Sequence, residues 1–376
     1  MKDKIKREIR RLYCTKEQSA NEKYKNYLDM VKGIAIFLVV LGHSGTINHT
    51  VNTWLSTFHL PTFFVVSGIL MNLKQEAQSS IKNIFKYKIR QILVPYICFS
   101  VCTVFFLLIN IIAGKLQWQV LKQLIWQTFT LQGYSVMWFL TVLFFAELFV
   151  IILLKILERI CRKDIYVSII LCIVTTVLGM ISYHIYNNNI VTVVPTMITE
   201  EIRIFVKAFV AGAFISCGYF ICDVFSWIDN KKNSSNRRIL YRFVELLVGV
   251  ILSFVNIIVL PYIQLMDLNN LNVGELYKYL LLGVGGSLGL ILICRNIPNI
   301  PILSYYGQNS LIIMCTHLNC YVLYIALVLG QYIAAHIPGN YIKLWCISSM
   351  MCVMILEIPV IIFIKVFFPF MLGKKK

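Results

Sequence analysis

The chain has 376 residues, of which 59% are hydrophobic and only 14% charged; a soluble globular chain runs at about 45–50% and about 25%. This excludes a soluble enzyme. It also excludes a nucleic-acid-binding module, because the formal net charge of +18 lies in short segments between long apolar runs, with no RNA- or DNA-binding motif around it.

A spanning helix takes about 20 mostly apolar residues. By that measure ten spans are expected, over 28–47, 57–73, 91–113, 134–154, 165–185, 201–227, 243–263, 276–294, 303–329 and 342–367. The second is short enough to be tilted or partly re-entrant. The basic N-terminus followed by an apolar run superficially matches a signal peptide, but the run carries His43 and no small-residue cleavage site follows, so it reads as a retained first helix. With ten spans the connections alternate sides. One side then holds 27 of the 35 Lys and Arg, in 1–26, 74–90, 155–163, 231–242, 295–302 and 374–376, while the opposite loops hold only Lys115 and Lys122. Positive residues prefer the cytoplasm, so both termini are expected there. The fold class is thus an all-α polytopic membrane protein of about ten helices. It comprises a basic segment 1–26, a membrane domain 27–370 and a basic tail 371–376. The twelve cysteines lie mostly within apolar runs and form no CxxC pair, so neither a disulfide framework nor a zinc site is expected.

Ionisable residues within such runs are costly and mark functional sites by default. Lys32 and His43 share one face of the first helix, eleven residues or about 16 Å apart, and Asp29 is placed to pair with Lys32. His59, at the Pro-containing start of span two, and His317, in span nine, fall at a depth similar to that of His43. Ser310 shares the His317 face. His59 serves equally well as a reacting group or an orienting one. Glu147 is a carboxylate inside span four, either functional or paired with a basic residue of another helix. Arg203 and Lys207 lie near the outer start of span six, to meet an anionic acceptor or to be neutralised by Glu200 and Glu201. Lys82, Lys86, Lys88 and Arg90 form a basic cluster at the inner surface, where contact with anionic lipid is the simplest role.

Four blocks carry a resemblance: LDMVKGIAIFLVVLGH ending at His43; FHLPTFFVVSG over 58–68; KYKIRQILVPY; and the pair MWFL (137–140) with YYGQNSLIIMCTH (305–317). Through them the chain resembles the membrane acyltransferase-3 family, especially its fucose-acetylase-like and polysaccharide O-acetyltransferase branch. The resemblance implies transfer of an acyl group, usually acetyl, from cytoplasmic acyl-CoA to a hydroxyl of a cell-envelope glycan or lipid-linked sugar, in the plasma membrane. Acetyl-CoA is then the co-substrate and no metal is required. Lys32, Lys86, Lys88 and Arg90 would meet the CoA phosphates. His43 would act as general base or acyl carrier, with His317 or Glu147 orienting or reprotonating it, while His59, Arg203 and Ser310 would face the acceptor. The family's first-helix Arg is Lys here, which keeps the charge and loses bidentate geometry. Many relatives append an extracytoplasmic hydrolase-like domain; without one, a second transfer step is expected to use a partner protein.

The competing function is a polysaccharide exporter or proton-coupled transporter with Glu147 and the histidines as relay. Transporters tend to show two halves with matching broken helices, and the glycines of span eight (Gly283, Gly285, Gly286, Gly289) have no counterpart in the first half. A non-catalytic assembly protein would leave Lys32 and His43 without purpose.

Overall fold

In hydrocarbon every backbone N–H and C=O must be satisfied within its own segment, and a long apolar run does this as an α-helix. The computed structural model describes residues 2–13, 20–45, 48–74, 78–161, 165–190, 196–233 and 238–373, and among them the long runs are all helical. The only β-type pairing among these residues is an isolated bridge between Asp267 and Asn272. In chain order the helices are α1 (Lys2–Tyr13), α2 (Ala20–His43), α3 (His49–Leu73), α4 (Ile81–Lys88), α5 (Val94–Ile112), α6 (Trp118–Phe129), α7 (Trp138–Ile160), α8 (Ile165–Ile185), α9 (Thr196–Asn233), α10 (Arg238–Ile258), α11 (Leu276–Asn296), α12 (Pro301–Gln308), α13 (Ser310–Thr316), α14 (Val322–His336) and α15 (Tyr341–Phe367). A π-helical turn, Ile89–Leu93, joins α4 to α5. Pro95 cannot donate to the carbonyl four residues back and its ring crowds it; widening the helix just before the proline relieves both. The basic tail Lys374–Lys376 and the middle of the 231–242 linker lie outside the described residues.

Nine helical segments among the described residues are long and apolar enough to cross a membrane. Two expectations change. Span two is not short: α3 runs for 25 residues, because the polar residues Thr53, Ser56 and Thr57 at its start are buried rather than left in a loop. Span nine, expected as one helix over 303–329, is broken into α12, α13 and α14. At the first break the Asn309 side chain takes the Tyr305 carbonyl, 2.7 Å away, and so competes with the helix. At the second, residues 317–321 form a turn that ends in Tyr321 at φ +61°, and the Leu323 N–H closes it onto the His317 carbonyl at 2.7 Å. What remains of that span is the 15-residue apolar helix α14.

The chain divides into two compact units, one of residues 1–55, 89–141 and 299–376, the other of 56–88 and 142–298. In the first, α2 packs along α12, α13 and α15, and α14 packs along α15. The amphipathic α1 docks on α12 and α15, with Leu12 buried and Glu8 paired to Lys365 at 2.7 Å. In the second, α8 packs on α9 and α10 on α11, and α3 meets α9 at two glycines: Gly68 faces the Ile215 carbonyl and Gly218 the Val65 carbonyl.

Glycine also sets how closely α2 and α12 approach. A Cβ on Gly33 would lie 2.0 Å from the Leu303 carbonyl oxygen, and one on Gly307 would lie 1.7 Å from that of Asp29. Both obstacles are backbone, so the two helices would have to part. Small residues at such seams give membrane helices their van der Waals contact. Gly33→Ala or Gly307→Ala is expected to destabilise by about 1–3 kcal/mol, the usual cost of overpacking. Gly285→Ala, where a Cβ meets nothing within 4 Å, is expected to stabilise its helix by about 0.5–1 kcal/mol. Denaturant unfolding in detergent micelles reads both signs.

Candidate active site

The α2–α12 seam fixes the stretch of α2 that carries charge. Lys32 Nζ lies 2.7 Å from Asp29 Oδ1, both partly buried, so the pair expected from their spacing is formed. Phe37 meets Tyr306 edge-on at 5.2 Å between centroids, and the Tyr306 hydroxyl donates to the Met354 carbonyl at 3.0 Å. α2 is thereby held against α12, with α12 tied to α15, over two turns between Lys32 and His43.

His43 is the last residue of α2, and its ring meets that of His317, the residue capping α13. Nδ1 of His43 and Nε2 of His317 are 3.0 Å apart. The ring centroids are 5.1 Å apart with planes inclined by 28°; given the 3.0 Å nitrogen contact, the rings meet edge to edge, in hydrogen-bonding geometry. Nδ1 of His317 lies 2.6 Å from the Ile313 carbonyl oxygen. A carbonyl only accepts, so this nitrogen carries the proton and, in the neutral ring, Nε2 of His317 bears the lone pair. His43 must then donate through Nδ1, which leaves its own Nε2 as a lone-pair base. One backbone carbonyl thus sets both tautomers. His317 is fully buried whereas His43 is exposed, so the open nitrogen belongs to the accessible ring. Ser310, at the start of α13, is half-buried.

Beside His317, Thr316 Oγ1 lies 2.8 and 2.9 Å from the two carboxyl oxygens of Glu357 and 2.8 Å from the Ile312 carbonyl. Glu357 is fully buried, two residues before Pro359 in α15. Spacing alone gave this carboxyl little prominence, because its partner comes from a distant part of the chain.

The basic cluster on α4 divides. Residues two apart on an α-helix point about 200° apart around its axis, so Lys86 and Lys88 cannot share a face. Lys86 is exposed, and Arg90, in the π turn, is half-buried. Lys88 is only 2% exposed, with Nζ 2.9 Å from Glu147 Oε2. The expectation that Lys88 stands at the surface for a phosphate is corrected by this burial. Glu147 of α7 accepts from the Ser67 hydroxyl of α3 on its other oxygen, so the carboxylate joins three helices of its unit and its charge is compensated there.

His59 is half-buried in α3, two residues before Pro61. Its helix is positioned by α11: Gly286 lies against Phe58, Gly283 against Pro61, and Thr62 Oγ1 against Ser287 Oγ at 3.1 Å. Arg203 is hydrogen-bonded to Glu200 and, at 3.0 Å, to the Tyr186 hydroxyl; Glu200 thus supplies a neutralising charge. Lys207 is buried with Nζ 2.9 Å from Asn269 Oδ1.

The sequence matches the family described as an acyltransferase domain over residues 25–367, nearly the whole chain. The chain belongs to the membrane acyltransferase-3 family. No curated protein and no solved structure matches it. The matched range contains α2 from residue 25 onward and all of α3 through α15, and hence every residue of the histidine pair, its supporting seam and the Lys88–Glu147 pair. This membrane acyltransferase therefore carries, at the end of its first apolar helix, an accessible imidazole whose base nitrogen is defined by a buried second imidazole.

Proposed function

We propose that this acyltransferase moves an acetyl group from acetyl-CoA to a hydroxyl of a cell-envelope glycan or lipid-linked sugar, with His43 as general base. The His43–His317 contact carries this reading. Acyl transfer to a hydroxyl needs a group that removes the hydroxyl proton as the new bond forms, a role worth about 10²–10⁴-fold. Nε2 of His43 is that group. The imidazolium formed there keeps its Nδ1–H bond to Nε2 of His317, which accepts from it before and after the proton arrives. Lys32 stands three turns back along α2 and supplies positive charge toward the CoA phosphates as a charge-assisted partner; exposed Lys86 and half-buried Arg90 offer the same chemistry. The plasma membrane, with both termini cytoplasmic, puts Lys32 on the donor side and His43 toward the acceptor, consistent with the distribution of Lys and Arg. The polysaccharide O-acetyltransferase branch is the sub-family whose chemistry this matches.

The test uses the full chain purified in detergent and incubated with radiolabelled acetyl-CoA and a cell-envelope extract. Label is expected in the glycan or lipid-linked sugar fraction, and much less of it with His43→Ala. An unlabelled extract, or equal labelling by the two proteins, refutes the proposal.

A further inference from the structure

The turn that breaks the ninth apolar run bears His317 at its first position and Asn319 at its third. Asn319 is 5% exposed, and its side-chain Nδ2 is buried without a hydrogen-bond partner. A buried amide donor with no partner forfeits its hydration and gains nothing in return, and in a water-poor membrane interior the loss is larger than at a surface. The neighbouring polar groups are satisfied: Thr316 by Ile312 and Glu357, His317 by Ile313 and His43. The turn is also conformationally costly, because Tyr321 sits at φ +61°, a region that a bulky non-glycine residue seldom occupies. Strained backbone and an unsatisfied donor in the five-residue turn that also bears His317, the partner of His43, form a combination that folding alone does not favour. Non-helical backbone at membrane depth is tolerated only where it is buried in protein or lines a water-filled cavity.

We propose that the Asn319 side-chain amide is the hydrogen-bond donor that meets the acyl carbonyl oxygen during transfer, a second catalytic group beside His43, which His317 orients. The inference rests on the acyl-transfer reading above. In the step, the acceptor hydroxyl oxygen bonds to the thioester carbonyl carbon while Nε2 of His43 takes the hydroxyl proton. The carbonyl π electrons move onto oxygen, where the Asn319 amide N–H binds the developing charge. The oxyanion then collapses, the carbon–sulfur bond breaks, and the thiolate leaves and receives the proton from His43 as free CoA thiol. Atoms, charge and electrons balance without another reactant. The amide's donor is unmatched in the resting protein and becomes matched as charge develops, which is the differential binding that accelerates a reaction.

This role and a structural one predict opposite signs. Asn319→Leu and Asn319→Ala each remove the unsatisfied buried Nδ2 donor, so the thermal midpoint in detergent is expected to stay unchanged or rise. The transfer rate from saturating radiolabelled acetyl-CoA to envelope extract is expected to fall about 10²–10³-fold, the range for losing one oxyanion donor. The acetyl-CoA concentration giving half-maximal rate should change little. Wild-type transfer rates in both variants, or a midpoint that falls in step with the rate, overturn the role of Asn319 alone. If the wild-type protein transfers no label, the acyl-transfer reading falls and this role with it. Asn319→Ala, the smaller replacement, keeps the test open if Asn319→Leu does not accumulate.

Discussion

His43→Ala is expected to lower the transfer rate by about 10²–10⁴-fold, the full value of a general base, and to cost about 1–3 kcal/mol of stability, because the fully buried His317 nitrogen loses its donor. The informative comparison is with His317. His317→Ala takes away the acceptor that holds the Nδ1 proton of His43, so the His43 ring is free to adopt either tautomer and rotate. Loss of such an orienting partner costs roughly ten- to a hundredfold. His317→Gln recovers part of this, since a glutamine oxygen can accept from His43 Nδ1. The expected order of rates is wild type, then His317→Gln, then His317→Ala, then His43→Ala, read as initial rates of label transfer at saturating acetyl-CoA. If His317→Ala equals wild type, the buried ring is packing and His43 works alone. If His43→Ala equals wild type, the pair has no chemical role.

The α2 end of this site was visible in the sequence because it depends on local periodicity. Lys32 and His43 are bound by one helix, and 3.6 residues per turn place them on one face whatever surrounds them. His317 could be brought to a similar depth by counting residues along an apolar run, and its ring lies 3.0 Å from that of His43. The route to that position was not visible. Hydropathy smooths over a polar pair or a single left-handed residue, so the breaks at Asn309 and at 317–321 disappeared inside one apolar average. The breaks matter, because the turn they create carries both His317 and Asn319. The α4 cluster failed for a related reason. Lys86, Lys88 and Arg90 are close in sequence, yet helical geometry sends Lys88 away from Lys86, and only tertiary packing decides which direction is inward. The tautomer relay was beyond sequence altogether, because its origin is a backbone carbonyl.

Lys88→Met and Glu147→Gln each destabilise the protein by about 3–5 kcal/mol, because each leaves the other charge buried without its counter-charge. Lys88 is 2% exposed and Glu147 4%, so neither can recover hydration by a small side-chain movement. After Lys88→Met the Ser67 hydroxyl still donates to Glu147, which offsets part of the loss; after Glu147→Gln the amide oxygen can still accept a hydrogen bond but no longer supplies the counter-charge. Replacing both, as Lys88→Met with Glu147→Leu, removes both desolvation costs and fills the space with apolar atoms, an exchange that is often neutral or stabilising by about 1–4 kcal/mol. Denaturant unfolding in micelles measures the cycle, and single variants within about 0.5 kcal/mol of wild type would show that the pair is hydrated rather than buried. Activity in the double variant then separates two roles for Glu147. Transfer at the wild-type rate in a protein of restored stability makes the carboxylate a clamp on α3, α4 and α7. Lost transfer with stability restored places it in the chemistry, since packing has been repaired and only the charge is missing.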